Sequence, residues 1–250
     1  MSLKSAIVIP ARLASTRLPE KLLLRESGKS LIQHTFEAAN SSSKASSVIV
    51  ATDNQSIVDE VESFGGSAVM TDPDHTCGTN RIAEVAQSLT DVEIVVNVQG
   101  DEPEITGEAI DLAIELLENN PECMVSTLAA PIRDKRLIDD PNCVKVVFDT
   151  NGRALYFSRS PIPFARDWND SMLAESPPNW FQHIGLYAYR RQFLLDISSF
   201  PSCRIHEIES LEQLRFLQAG YTIQVGQIDH AFPGIDTPED YATFVKRMAN

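Results

Sequence analysis

"SVIVATDNQSIVDEVESFGGSAVM", residues 47–70, sets three patterns side by side. SVIVAT is a short apolar run rich in β-branched residues, the composition of a strand buried on both faces. Ile57, Val58, Val61 and Phe64 then recur at the spacing that puts them on one face of a helix. Gly65-Gly66 ends that helix, and SAVM begins a second strand. Strand, helix and strand in so little chain make a crossover unit with parallel strands.

The alternation extends both ways. AIVIP (6–10) reads as a strand and SLIQHTFEAAN (30–40) as a helix capped by Ser30. TNRIAEVAQSL is amphipathic, and EIVVNVQ (93–99) is the most strand-like run in the chain. The pattern predicts an α/β fold with a Rossmann-like, doubly wound, mostly parallel sheet and helices on both faces. The second half changes style. Asn151-Gly152 lies between two β-rich runs over 144–159, a hairpin signal. Residues 161–180 are proline-rich and aperiodic, the mark of a long surface excursion. HIGLYAYR reads as strand-like, EIESLEQLRFLQAG (207–220) as one helix, YTIQVGQ as a strand, and a last helix follows GIDTPED. One domain over 1–250 is expected, with a β-hairpin and long-loop lobe at about 144–190 facing substrate.

A net charge of -14 on 250 residues argues against binding nucleic acid or an anionic membrane surface. To hold an anionic ligand, such a chain must concentrate its cations locally and recruit metal. The four cysteines are scattered with no CxxC pair, so neither a zinc site nor a disulfide framework is expected. MSLKSAIVIPAR lacks the apolar stretch of a signal peptide, and the expectation is a cytoplasmic protein.

Ligands in open α/β sheets sit at the carboxyl ends of the strands, and three such ends carry unusual residues. After the first strand, IPARLASTRLPEKLL (9–23) brings Arg12, Arg17 and Lys21 into one proline-bounded loop that can surround a polyphosphate; a solvated basic loop is the bland alternative. No GxxxxGK[ST] is present, so this is not a P-loop. VNVQGDEP (96–103) puts Asp101 and Glu102 at a strand end, where hard carboxylate oxygens suit magnesium; Glu102 equally well only ends the strand. In PGIDTPED (233–240), Thr237, Pro238, Glu239 and Asp240 are explained as a helix start. Asp236 is left over as a second metal ligand. Two aspartates and a cationic loop are what metal-assisted nucleotidyl transfer requires.

These segments, with ATD, DHTCGTNRIAE, LYFSRSPIPF, HIGLYAYR and IESLEQLR, resemble the 3-deoxy-manno-octulosonate cytidylyltransferase (CMP-KDO synthetase) family from Ile7 to about Asp240. The resemblance implies a GT-A-type nucleotidyltransferase fold, a cytoplasmic homodimer, and the reaction CTP plus KDO gives CMP-KDO plus diphosphate, feeding lipopolysaccharide assembly. It implies Arg12, Arg17 and Lys21 as triphosphate binders and Asp101 and Asp236 as magnesium ligands. His75, Cys77, Gly78, Arg81 and Gln99 would serve the nucleotide. Gln99, Arg159, Arg166, His183, Tyr187, Glu209 and Gln213 would face the sugar acid, with Arg159 or Arg166 opposite its carboxylate. Glu209 and Gln213 are one helical turn apart and would share a face. His183 and Tyr187 can equally be cross-strand packing residues. The chain departs from the family pattern at Glu20, where Gly is usual, at Leu22, where Pro is usual, and at Cys77, where Ser is usual. It also differs before Ile208. The same chemistry on an 8-amino-KDO or another acidic sugar is the near alternative, and a non-catalytic nucleotide sensor the distant one.

Overall fold

The computed structural model describes residues 3–75 and 77–249. Within them the strands are β1 (Ser5–Ala11), β2 (Ala45–Thr52), β3 (Ser67–Met70), β4 (Ile94–Asn97), β5 (Val125–Pro131), β6 (Lys145–Phe148), β7 (Ala154–Ser158), β8 (Phe181–Arg190) and β9 (Ile223–Gln227). They join in one sheet of order β3-β2-β1-β4-β8-β5-β9, with the β6–β7 hairpin attached to β8. Along that order only β8 runs against the rest. The helices are α1 (Leu31–Ala39), α2 (Gln55–Ser63), α3 (Gly78–Ser88), α4 (Gly107–Asn119), α5 (Lys135–Asp139), α6 (Arg191–Asp196), α7 (Arg204–Glu209), α8 (Gln213–Gln218) and α9 (Pro238–Met248). No described helix is long and apolar enough to cross a membrane.

β1 shows why the sheet is covered on both sides. Ile7 and Ile9 enter one core with Leu31, Ile57, Ile110 and Phe244, from α1, α2, α4 and α9. Ala6 and Val8 point the other way, into a second core with Ile82, Leu194 and Phe216 of α3, α6 and α8. A strand alternates its side chains between faces, so a continuous apolar run needs two cores. Ser30 caps α1 by accepting from Gln33 N, and Thr237 caps α9 in a reciprocal box with Asp240.

Three segments depart from expectation. The helix read over 207–220 breaks at Ser210, which takes a left-handed conformation at φ 51. Ser158 Oγ and Arg159 N donate to the Glu209 carboxylate at 2.7 and 2.9 Å, and Arg159 Nε donates to the Glu209 carbonyl at 2.7 Å. These contacts outweigh a left-handed penalty of about 1–2 kcal/mol. The stretch read as a lobe at about 144–190 divides: the hairpin and 161–180 lie beside the main path of the sheet, but 181–190 runs through its middle as β8. The proline-rich stretch is also more than a surface excursion, since Ile132, Ile138, Cys143 and Trp180 build a small core with Trp168, Met172 and Leu173. Arg190 and Arg191, half-buried at the start of α6, tie that helix to its neighbours. Their guanidinium groups reach carbonyls at the ends of α4 and α3: Leu117 O at 2.8 Å and Ala86 O at 2.8 Å.

Candidate active site

Four connections meet at the carboxyl edge of the sheet. The chain leaving β1 carries Arg12 and Arg17 and closes in a single 3-10 turn, Lys21–Leu23. The chain leaving β4 carries Gln99, Gly100 and Asp101. Gly100 lets the two strand ends approach closely: an added Cβ would lie 3.2 Å from Pro10 O, so the neighbouring backbone would have to give by a few tenths of an ångström. The segment before α9 is drawn in by Ile235 N, which donates to Asp101 O at 2.9 Å, and so delivers Asp236. Cys77 and Gly78 open α3. Together these residues line a cleft of about 450 Å³.

Lys21 organises the acidic side of that cleft. Its Nζ donates to Asp101 Oδ2 at 2.5 Å, Asp236 Oδ1 at 3.0 Å and Ile235 O at 2.9 Å. Burial on its own would lower the pKa of Lys21, but the Asp101 and Asp236 carboxylates overcome that and raise it. The ammonium is therefore charged, and two carboxylates from distant parts of the chain converge on one cation. Hard, paired oxygens of this kind fit a magnesium ion that takes its remaining ligands from phosphate and water. Arg17 adds a 2.9 Å ion pair to the other oxygen of Asp236. Arg12 donates to the carbonyl of His75. Glu102 turns away from this group. Burial first, and the Asp101 charge second, push its pKa up to about 8, which leaves it neutral at pH 7.

A smaller cleft of about 220 Å³ adjoins the first, sharing Gly78 and Gln99, and is lined further by Thr79, Asn97, Tyr187, Tyr189, Glu212, Gln213 and Phe216. Of the residues expected to face the sugar, Gln99, Tyr187 and Gln213 meet here. Glu209 does not share their face, because the break at Ser210 puts it on α7, bound to Ser158 and Arg159. The Arg159 guanidinium donates to the carbonyls of Pro141, Glu209 and Ser210. Arg166 is exposed on the proline-rich stretch and lines neither cleft. His183 sits behind Tyr187, with ring centroids 5.3 Å apart.

On the nucleotide side Arg81 requires a correction. It is fully buried, donating to Asp53 Oδ2 at 2.5 Å and to Thr71, and it lies outside the cleft. The charge of Asp53 draws it to the end of β2. The His75 side chain pairs with Glu84 at 2.5 Å and faces neither cleft, although its carbonyl holds Arg12. Thr76, in the same loop, lies outside the described residues. Sequence reasoning missed Glu212 and Thr79. The Thr79 hydroxyl donates to Glu212 Oε2 at 2.5 Å, and the Cys77 thiol reaches Oε1 at 3.7 Å. Burial first, then Glu212, raises the thiol pKa, so Cys77 is a thiol and not a thiolate. Glu212 lies within the IESLEQLR segment already marked for the sugar, but its partners are far away in sequence.

Comparison with known proteins agrees with this arrangement. The cytidylyltransferase family model matches residues 6–223. The 3-deoxy-manno-octulosonate cytidylyltransferase of Rhodopirellula baltica is 51% identical over 98% of this chain and 99% of its own length. That of Solibacter usitatus is 47% identical, over 93% of this chain and 90% of its own. A solved CMP:2-keto-3-deoxy-manno-octonic acid synthetase, complexed with CTP, superposes with a TM-score of 0.91 at 40% identity, covering 98% of each chain. The converging aspartates, the cationic loop and this near full-length likeness together place the chain in the 3-deoxy-manno-octulosonate cytidylyltransferase family.

Proposed function

We propose that the chain activates 3-deoxy-manno-octulosonate with CTP, giving CMP-KDO and diphosphate for lipopolysaccharide assembly. The observation that carries this reading is the convergence of Asp101 and Asp236 on Lys21 at the rim of a cleft that also holds Arg12 and Arg17. Arg12, Arg17 and Lys21 grip the triphosphate and absorb charge on the departing diphosphate. Asp101 and Asp236 would hold magnesium, which supplies charge neutralisation at the α-phosphate and acidifies the attacking hydroxyl. The hemiketal hydroxyl forms the new bond to the α-phosphorus, the bond to the bridging oxygen of diphosphate breaks, and the hydroxyl proton leaves to solvent.

Gln99, Tyr187, Glu212 and Gln213 shape the smaller cleft for the sugar. Arg159 lines neither cleft, but its guanidinium is bound only to carbonyl oxygens among the described residues and has no carboxylate partner, which supports it as the cation for the sugar carboxylate. The enzyme works as a cytoplasmic homodimer. Four free cysteines suit a reducing compartment, and Phe164, 81% exposed beside an apolar hollow of Pro161, Pro163 and Trp168, suits burial by a second copy. Diphosphate release from CTP, KDO and magnesium tests the reaction, with UTP, ATP and the 8-amino sugar as competitors and a chelator as control. No KDO-dependent release, with tight CTP binding, would identify a nucleotide sensor instead.

A further inference from the structure

Lys21 and Asp236 meet at the rim of the larger cleft, yet neither sits on a long element. Lys21 opens a short 3-10 turn, and Asp236 lies near the end of a stretch, 228–237, that forms no helix or strand. Their placement therefore depends on what ties down the chain beyond them. Glu26 follows Lys21 at the same distance in sequence as Tyr241 follows Asp236, and these two residues are bonded to each other. Glu26 N donates to the Tyr241 hydroxyl oxygen at 3.0 Å, and the hydroxyl donates to the Glu26 carboxylate. The directions are fixed, because a backbone amide only donates and an ionised carboxylate only accepts. Burial first, and the Glu26 hydrogen bond second, push the phenol pKa up to about 12, while the bond from Tyr241 is the foremost cause lowering that of Glu26.

Both partners are anchored. Tyr241 is buried, its ring packed with Phe244 in the core of α1, α2 and α4. Asp240, the residue before it, accepts from Asp236 N at 3.2 Å and from Thr237 N at 2.9 Å, so the seating of α9 carries over to Asp236. On the other segment Arg25 pairs with Glu60, a largely buried carboxylate of α2. Two adjacent side chains thus tie the turn beyond Lys21 to α2 and to α9. Neither Glu26 nor Tyr241 lines either cleft.

We propose that Tyr241 is a positioning residue: through Glu26 it ties the turn bearing Lys21 to the helix that follows Asp236, and so sets the geometry in which both meet the nucleotide triphosphate. The inference rests on the cytidylyl-transfer reading above and adds to it a residue outside the clefts.

Calorimetric titration with CTP and magnesium, without sugar, tests it. Tyr241→Phe keeps the ring and should weaken CTP binding about tenfold, the worth of the hydrogen bonds removed. Glu26→Gln keeps an acceptor and should bind CTP as the parent does, whereas Glu26→Ala should bind it severalfold more weakly. Adding Glu26→Ala to Tyr241→Phe should cost nothing further, since the hydroxyl is already gone. In turnover the KM for KDO should stay near the parent value in each variant, because the smaller cleft is untouched; a general loosening of the fold would raise it too. Parent-like CTP binding in Tyr241→Phe, Glu26→Gln as weak as Glu26→Ala, losses that multiply in the double variant, or an equal rise in the KM for KDO overturns the proposal. Failure of the parent to release diphosphate with KDO refutes the activity reading alone, because the titrations need no sugar and judge the Tyr241–Glu26 tie by themselves.

Discussion

Substituting Glu102→Gln tests the electrostatics beneath the larger cleft. The Glu102 carboxyl packs against Gly185, where an added Cβ would lie 3.5 Å from Oε1, and its Oε2 is sealed without a hydrogen-bond partner among the described residues. Its pKa of about 8, set by burial and then by Asp101, compares with about 4.3 in an unfolded chain. Between those values the unfolded chain releases a proton that the folded chain keeps. Stability therefore falls as pH rises through that interval and is level on either side of it. Each pH unit costs about 1.4 kcal/mol. Glutamine does not titrate, but its buried amide lacks partners and costs about 1–3 kcal/mol. The two stability curves should thus cross, with the variant weaker than its parent near pH 5 and stronger at pH 8. Urea unfolding at half-unit steps from pH 5 to 8 measures this directly, and the gap should shift by about 1.4 kcal/mol per unit. A gap that stays constant across the range refutes the reasoning.

Other perturbations address the rim and the scaffold. Asp101→Asn or Asp236→Asn should abolish turnover with urea midpoints close to the parent; retained activity in either removes the two-aspartate site. Arg17→Ala should raise the KM for CTP and slow turnover on the order of 100-fold, because grip and transition-state charge share that guanidinium. An effect confined to KM would make Arg17 a binding residue only. Asp111→Ala should destabilise the fold by about 2–3 kcal/mol, since its carboxylate accepts from Ser42 Oγ, Ser43 N, Ser43 Oγ and Lys44 N at 2.5–3.1 Å. Burial opposes ionisation of Asp111, but these donors prevail and lower its pKa. The stability it confers is present above the ordinary aspartate range and lost as pH falls through the folded value. Thermal denaturation at pH 7 and pH 3 should show the variant's deficit shrinking with acid.

How far the sequence could be read follows from how local each signal is. The unit over residues 47–70 was legible because strand and helix periods do not overlap there and Gly65, at φ 81, supplies the stop. Arg12, Arg17, Lys21, Asp101 and Asp236 could be singled out because each sits just past a strand or just before a capped helix. What escaped depends on partners far along the chain. Nothing near Arg81 says that Asp53 will bury it, and nothing near Ser210 says that Ser158 and Arg159 will seize Glu209 and break the helix. Glu212 acquires its place only when α3 brings Thr79 beside it. β5 went unread because a run such as VSTLAAP has neither the alternation of a half-exposed strand nor the bulk of a buried one.

The reversed strand has a further consequence. Pairing of β4 with β8 stops at Asn97 and Tyr187, while β5 accompanies β8 on to Pro131 and Phe181. The back wall of the smaller cleft, Tyr187 and Tyr189, lies just before that divergence, where β8 is held by β4 on one side and β5 on the other, and is not a loop free to fold over its guest. Recognition on that side works by fit to a stiff template, and adaptability must come from the opposite bank, where two short helices meet at a left-handed joint.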